Sequence, residues 1–380
     1  MEFVAIIFMV IVLLAVQLVL FAKNSFRHFE YTCFFTKDEV MEGEEVGLVE
    51  IVSNRKWLPL PWLKSELSTS RWLEYAGSQS EVIGDLRYVP SFFTLKSYQR
   101  ISRTWKVKCL KRGVFEIRRV DLVSSDLLGL SSFSYTARTN ARLTVLPRPL
   151  ENSQPVCPPQ YLNGDTVVRH QLLDDPFFIA GVREYTGFEP MNRIHWNATA
   201  REGRLMVFEN QYTSRKNLSI LLNVQQRPGK TGKMDGDSDL EDCIRFGAYL
   251  FGAAAQQDTP FRFLCNGLDS GTGQPVCTAE SWGTAFALEQ SRTLARLLAD
   301  RALEIDRFLQ EDAIFQTCSQ LILVSTYIDD TLKAFARERA RRGVSVAVFV
   351  CGQVLPGDFE DGAYSLFVLQ GSEKKEAKLQ

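Results

Sequence analysis

The side chains able to do chemistry are few and poorly grouped. Three histidines, His28, His170 and His195, occur in 380 residues, and none has a second His or Cys at the spacing a zinc site needs. The eight cysteines stand singly at 33, 109, 157, 243, 265, 277, 318 and 351, without a Cys-x-x-Cys pair. Scattered thiols of this kind suit a reducing compartment better than a disulfide framework. There is no Gly-x-Ser-x-Gly elbow, and no cysteine sits in a catalytic context. Gly229-Lys230-Thr231 invites a phosphate-loop reading, but Val224 and Gln225 stand where the leading glycine is needed, and Asp235, Asp237 and Asp239 repel an anion. Glu184, Glu189 and Glu209 are candidate general bases only in being carboxylates. A net charge of −1 argues against non-specific nucleic-acid binding. The expectation is a protein that binds rather than catalyses, with no cofactor.

The densest grouping of charge runs from Gly181 to Val207. Arg183, Arg193, Arg201 and Arg204 alternate there with Glu184, Glu189, Glu202 and, just beyond, Glu209, beside Tyr185, Ile194, His195 and Trp196. Arginine grips carboxylates bidentately, so one reading is an ion-pair latch with Ile194 and Trp196 as apolar pins. The other is a recognition surface for a partner, and the two agree if the latch has an exposed face. His195 is expected to make a structural imidazole hydrogen bond.

The elements that must position these residues fall into three textures. Phe3 to Ala22 carries no charge, and Gln17 is its one polar side chain. At ~1.5 Å per residue such a helix spans ~30 Å, the hydrocarbon thickness of a bilayer. A cleaved signal peptide is the alternative, but it wants a basic start and a small residue three places before the cut, and Met1-Glu2 and Leu20-Phe21-Ala22 supply neither. Lys23 and Arg27 follow the helix and only Glu2 precedes it, which puts the body in the cytoplasm. From 28 to 150 short strands rich in β-branched and aromatic residues predict a β-sandwich: Phe29–Phe35, Glu45–Val52, Ser91–Tyr98, Ser102–Cys109, Val114–Val123 and Arg142–Leu146. Trp57-Leu58-Pro59-Leu60-Pro61-Trp62 reads as a loop packed on that sandwich, or as a contact with a membrane surface or partner.

Proline-rich 147–159 opens a linker, 151–216, and from 217 to 370 the texture changes. Apolar runs without alternation (Leu218–Val224, Phe261–Cys265, Leu321–Ser325 and Val344–Val350) are separated by amphipathic helices at Leu240–Ala255, Ser291–Phe308 and from Asp329-Asp330 to Arg342, with Gly343 as a stop. Ile314–Ile328 reads as a buried strand and Leu366–Leu369 as an edge strand. This pattern predicts a parallel sheet covered on both faces. Residues 371–380 are a charged tail expected to be disordered. The expected fold class is therefore α+β multidomain.

Arg183-x-Tyr185, then Arg193-Ile194-His195-Trp196, then Ala200-Arg201-x-Gly203-x-Leu205 resembles the signature of the bacterial family known as domain of unknown function 58. Phe188-Glu189 stands where that family has Gly-Asp. Lys111-Arg112-Gly113-Val114-Phe115 and Ser125-Asp126-Leu127-Leu128-Gly129-Leu130 resemble it too, so the likeness spans nearly the whole chain. The resemblance implies a membrane-anchored β-domain joined to a von Willebrand factor A-like α/β (Rossmann-type) domain. Many relatives begin with a pair of membrane helices, whereas this chain shows one.

The resemblance also implies partners, a MoxR-type AAA+ ATPase and a transglutaminase-like membrane protein, beside the lipid bilayer itself. Von Willebrand A domains often bind Mg²⁺ through Asp-x-Ser-x-Ser after the first strand. At those positions this chain has Asn223, Gln225 and Arg227, and Ser325-Thr326-Tyr327 replaces a later Asp. An amide and a cation are poor ligands for a hard cation, so a degenerate site is expected, with Asp329 and Asp330 as helix caps. The function expected is a non-enzymatic adaptor or assembly factor; the alternative is a Mg²⁺-dependent ligand-binding or adhesion module.

Overall fold

The computed structural model describes residues 2–126, 128–129, 131–150, 174–187, 191–212, 217–226, 238–310, 315, 318–351 and 364–369. The expectations for 151–173, Glu189, Arg227, Asp235, Asp237 and the tail lie outside these residues, as does the side chain of Arg193. The chain divides into two compact units, Met1–Pro149 with Leu288–Leu297, and Leu150–Ala287 with Leu298–Gln380.

The first unit opens with helix α1 (Glu2–Asn24), of which Ile6–Asn24 is long and apolar enough to cross a membrane. Its body holds β1 (Phe29–Phe35), β2 (Glu39–Met41), β3 (Glu45–Asn54), β4 (Leu60–Ser70), β5 (Leu73–Tyr75), β6 (Glu81–Ile83), β7 (Leu86–Leu95), β8 (Arg100–Cys109), β9 (Gly113–Ser125) and β10 (Ser132–Leu146). They form two sheets, ordered β1-β3-β8-β5 and β2-β10-β9-β4-β7-β6. The sheets close on one apolar core and so make a β-sandwich. Strand β1 shows why: Phe29, Tyr31, Cys33 and Phe35 point inward and the residues between them point out.

The Trp57–Trp62 stretch differs from the packed loop expected of it. Leu58 and Leu60 are buried, but the chain enters β4 at Leu60, and both tryptophans face outward. The prolines hid the strand. Pro61 is tolerated because the β4–β7 register slips between Leu60 and Leu63, so its missing N–H falls at an irregularity.

In the second unit β11 (Asp174–Glu184) and β12 (Met206–Tyr212) pair antiparallel across a turn of 3₁₀ helix, Met191–Arg193, and helix α2 (Trp196–Glu202). Both strands lie within 151–216, the stretch expected to be a linker. Next along the chain come β13 (Leu218–Leu222), α3 (Ser238–Gln256), β14 (Phe261–Asp269), β15 (Pro275–Cys277), α4 (Thr284–Arg296, of which Leu288 onward groups with the first unit), β16 (Leu297–Ala302), α5 (Ile305–Leu309), β17 (Gln320–Ser325), α6 (Asp330–Arg341), β18 (Ser345–Cys351) and β19 (Ser365–Leu369). The sheet order is β15-β14-β13-β17-β18-β19, with β16 also on β14. Strands β14, β13, β17, β18 and β19 run parallel, and β15 is antiparallel to β14.

Both faces of the sheet are covered. Helix α3 lies on one, with Phe246 against Phe349 at 4.8 Å and Phe251 against Phe263 at 4.9 Å between ring centroids. Helices α5 and α6 cover the other, packing on Leu221, Leu264, Leu321, Leu323 and Val348. Two expected elements are corrected. The single helix 291–308 is broken, because Leu297–Ala302 is drawn into strand pairing with β14, a tertiary contact that overrides helical spacing. The strand expected over 314–328 is confined to Gln320–Ser325.

Candidate functional site

Leaving aside β16, and numbered within the sheet, the strands of the second unit run 3-2-1-4-5-6. The order reverses between β13 and β17, and open α/β sheets bind ligands beyond the C-terminal ends of strands at such a switch point. Asn223 follows β13 there, Ser325 ends β17, and Asn266 lies in the neighbouring β14.

These residues form a closed polar network. Asn223, 0% exposed, accepts at Oδ1 from Gln225 N at 3.1 Å and from Asn266 Nδ2 at 2.9 Å. Its Nδ2 donates to Ser325 Oγ at 3.1 Å. Asn266 Oδ1 accepts from Val224 N at 2.9 Å, and its Nδ2 also donates to Leu303 O at 3.1 Å. Gln225 turns inward, its Oε1 accepting from Ile305 N at 2.7 Å at the start of α5. Ser325 Oγ further accepts from Tyr327 N at 3.3 Å. Burial pushes the phenol of Tyr327 up from its ordinary value.

This arrangement does not fit Mg²⁺. A hard cation needs several oxygens free to converge, with carboxylates among them. Here the Asn223 oxygen already holds two N–H donors and the Gln225 oxygen holds a third. Asp329 Oδ1 accepts from Leu332 N at 2.9 Å, which makes it the N-cap of α6, and Gly343 at φ 86 follows that helix in the left-handed conformation. Among the described residues no group of three His, Cys, Asp or Glu side chains could hold a metal. An open hollow of about 480 Å³ between α5 and α6, lined by Asp306, Gln310, Thr331, Phe335, Glu338 and Arg339, is of mixed polarity. Asn266 was missed in the sequence; an asparagine closing the apolar run Phe261–Cys265 was the available signal.

The signature segment has a different character. His195 caps α2, its Nδ1 accepting from Ala198 N at 3.1 Å, so the ring is the tautomer protonated on Nε2. The imidazole packs on Phe208, with centroids 4.4 Å apart. Gly203, at φ 70, closes the helix, and Thr199 Oγ1 accepts from Met206 N at 3.0 Å. Ile194 is buried and bridges to Val207, as a pin should. Trp196 is not a pin: it is 65% exposed. Arg204 pairs with Glu184 at 3.2 Å, but both are exposed, and surface pairs contribute ~0–1 kcal/mol. Tyr185 N donates to Leu205 O, Arg183 Nη1 to Glu184 O, and Arg201 is exposed. The segment is held by its cap and backbone bonds, and Arg183, Arg201, Arg204 and Trp196 face outward.

One further group escaped the sequence. Glu50, 0% exposed in the core of the sandwich, accepts from Tyr31 Oη at 2.6 Å, Ser65 Oγ at 2.9 Å, Ser91 Oγ at 2.9 Å and Trp105 Nε1 at 2.6 Å. Arg103 lies over the Trp105 ring at 5.5 Å. Burial, and then the charge of Glu50, push the Tyr31 phenol well above its usual value.

No protein-family model and no curated protein matches the chain. Among solved structures it is similar to a non-cellulosomal cohesin from Archaeoglobus fulgidus, at 14% identity and TM-score 0.22 over 31% of this chain and 91% of that one. A CARDB domain from Pyrococcus furiosus in complex with di-metal ions matches at 14% identity and TM-score 0.20, over 32% of this chain and 96% of that one. A cohesin module from a Clostridium perfringens family 33 glycoside hydrolase matches at 10% and 0.20, over 30% and 97%. At scores this low the role of the chain has to be read from its own residues.

Proposed function

We propose that this chain is a membrane-anchored, non-enzymatic interaction protein of the domain-of-unknown-function 58 type. In this reading α1 is a single-pass anchor, the body is cytoplasmic, and the second unit is a von Willebrand factor A-like domain whose metal site has degenerated. Its partner is a MoxR-type AAA+ ATPase, with a transglutaminase-like membrane protein as a further neighbour. The observation that carries the reading is the polar network at the sheet's switch point, where Asn223, Asn266, Gln225 and Ser325 satisfy one another and, among the described residues, leave no ligand set for Mg²⁺. The 3-2-1-4-5-6 order with an antiparallel third strand supports the domain class, and the exposed Trp196 and Arg201 support a partner surface on the signature segment.

Co-purification of the full-length chain from native membrane in gentle detergent with ATP tests it. An AAA+ ATPase is expected in the eluate, and its recovery should fall with Trp196→Ala while the chain stays folded, since an exposed tryptophan contributes little to stability. Recovery of no AAA+ protein would count against the adaptor reading.

A further inference from the structure

Helix α1 does not leave the sandwich on a swivel. Phe21 in its last turn is buried, and the Ser25 carbonyl just beyond it accepts from Lys56 Nζ at 2.6 Å. Phe26 stacks on Tyr135 at 5.2 Å. Further down, Gln17 Nε2 donates to Asp126 Oδ2 at 3.4 Å. Asp126 is itself buried, and its Oδ1 accepts from Ser131 N at 3.2 Å, closing the β9–β10 turn. The one polar side chain of the Phe3–Ala22 stretch is thus bonded to the sandwich. Gln17 lies seven residues before Asn24, so the β9–β10 turn sits ~10 Å back along the helix from its C-terminal end.

This end of the sandwich exposes several large apolar and aromatic side chains, beside the exposed Arg55–Glu30 ion pair. Leu128, in the same turn, is 58% exposed. Trp62, 64% exposed, is the register partner of Ser125, the residue before Asp126. Trp57 and Tyr98, also exposed, flank Lys56, whose side chain is tied to the helix end and whose backbone O accepts from Tyr98 N at 3.1 Å. Lys23 and Arg27 mark the same level with positive charge. Tryptophan and tyrosine favour the headgroup region, and surface-lying apolar elements sink ~5–10 Å into the headgroup–acyl boundary, the depth the Gln17–Asp126 contact sets.

We infer that the helix-side end of the sandwich is a lipid-contact surface, with Leu128 and Trp62 immersed at the headgroup–acyl boundary and Trp57 and Tyr98 at headgroup level. The bilayer is the occupant because the patch is continuous with α1, and the inference rests on α1 being a membrane span. The sandwich would then be held against the leaflet in one orientation.

The test uses the full-length chain in phosphatidylcholine vesicles containing brominated acyl chains, with Cys157 and Cys277 replaced by serine. A bimane label is placed through Leu128→Cys or, as a control, through Val82→Cys. Val82 is exposed and pairs with Arg87, which pairs with Thr69 at the other end of β4 from Trp62. Quenching several-fold stronger at 128 than at 82 is expected. Equal quenching in a chain that resists alkaline carbonate extraction overturns the lipid contact but leaves the anchor standing. Equal quenching in a chain released by carbonate overturns both. A label at 128 shielded from aqueous iodide yet not quenched by bromolipid means a protein covers the turn, which also overturns the inference.

Discussion

The two units treat a buried polar group in opposite ways. In the sandwich a carboxylate, Glu50, sits in the core with four neutral donors drawn from both sheets. At the switch point of the α/β sheet the chain has the neutral Asn223, held by an amide, a hydroxyl and a backbone N–H. Burying a charge is costly unless hydrogen bonds replace its hydration, and Glu50 meets that condition without a cation among those four partners. Burying an amide is cheaper, and the Asn223 oxygen is already taken by two N–H donors. The difference teaches that the buried charge of Glu50 serves the packing of the sandwich, whereas the buried group at the switch point, Asn223, is neutral and held by its own neighbours.

The comparison can be broken most sharply at Glu50. Glu50→Ala leaves two hydroxyls, a phenol and an indole N–H without their acceptor, and should destabilise the first unit by about 4 kcal/mol. Denaturant unfolding followed by tryptophan emission reads this directly, because Trp57, Trp62, Trp72 and Trp105 all lie in that unit. Wild-type stability would show that the network is ornamental. Asn223→Ala should cost less, about 2 kcal/mol, and only in the second unit. Faster hydrogen exchange in β13 and β17 with β1 and β8 unchanged is the expected pattern.

The smallest effect is on pH. Burial pushes the thiols of Cys33 and Cys109 up to about 11, whereas unfolded thiols release their protons near ~8.5. The folded sandwich therefore binds more protons across that window, and its stability should fall as pH rises from about 8.5 to 11. Lys56 runs the other way. Burial lowers it to about 8 while the unfolded ammonium persists to ~10.4, so its contribution rises with pH. Replacing both thiols with alanine should flatten the decline, and Lys56→Met should steepen it.

How much of this was legible depended on the range of the interaction. Strand β1 was readable because its alternation is local, and so was the cap at Asp329, whose partner is Leu332. Strand β4 was hidden by Pro59 and Pro61, since the bulge that admits Pro61 is set by β7, a separate part of the chain. Strand β16 was hidden because Leu294, Leu297 and Leu298 keep helical spacing while β14 recruits the later two. Glu50 sat in plain view at an inward position of the Val46, Leu48, Val52 alternation, but its partners come from four other strands. At the candidate site the identity of Asn223 was legible. The roles of Asn266 and Gln225 were not, because each depends on loops brought together by the parallel sheet.

The closed network at the switch point is most directly tested by titrating Mg²⁺ into the full-length chain in detergent and following the heat. The network predicts nothing beyond dilution. A saturable heat that disappears with Asn223→Ala would mean that the amide oxygen is a ligand after all, and would contradict the account.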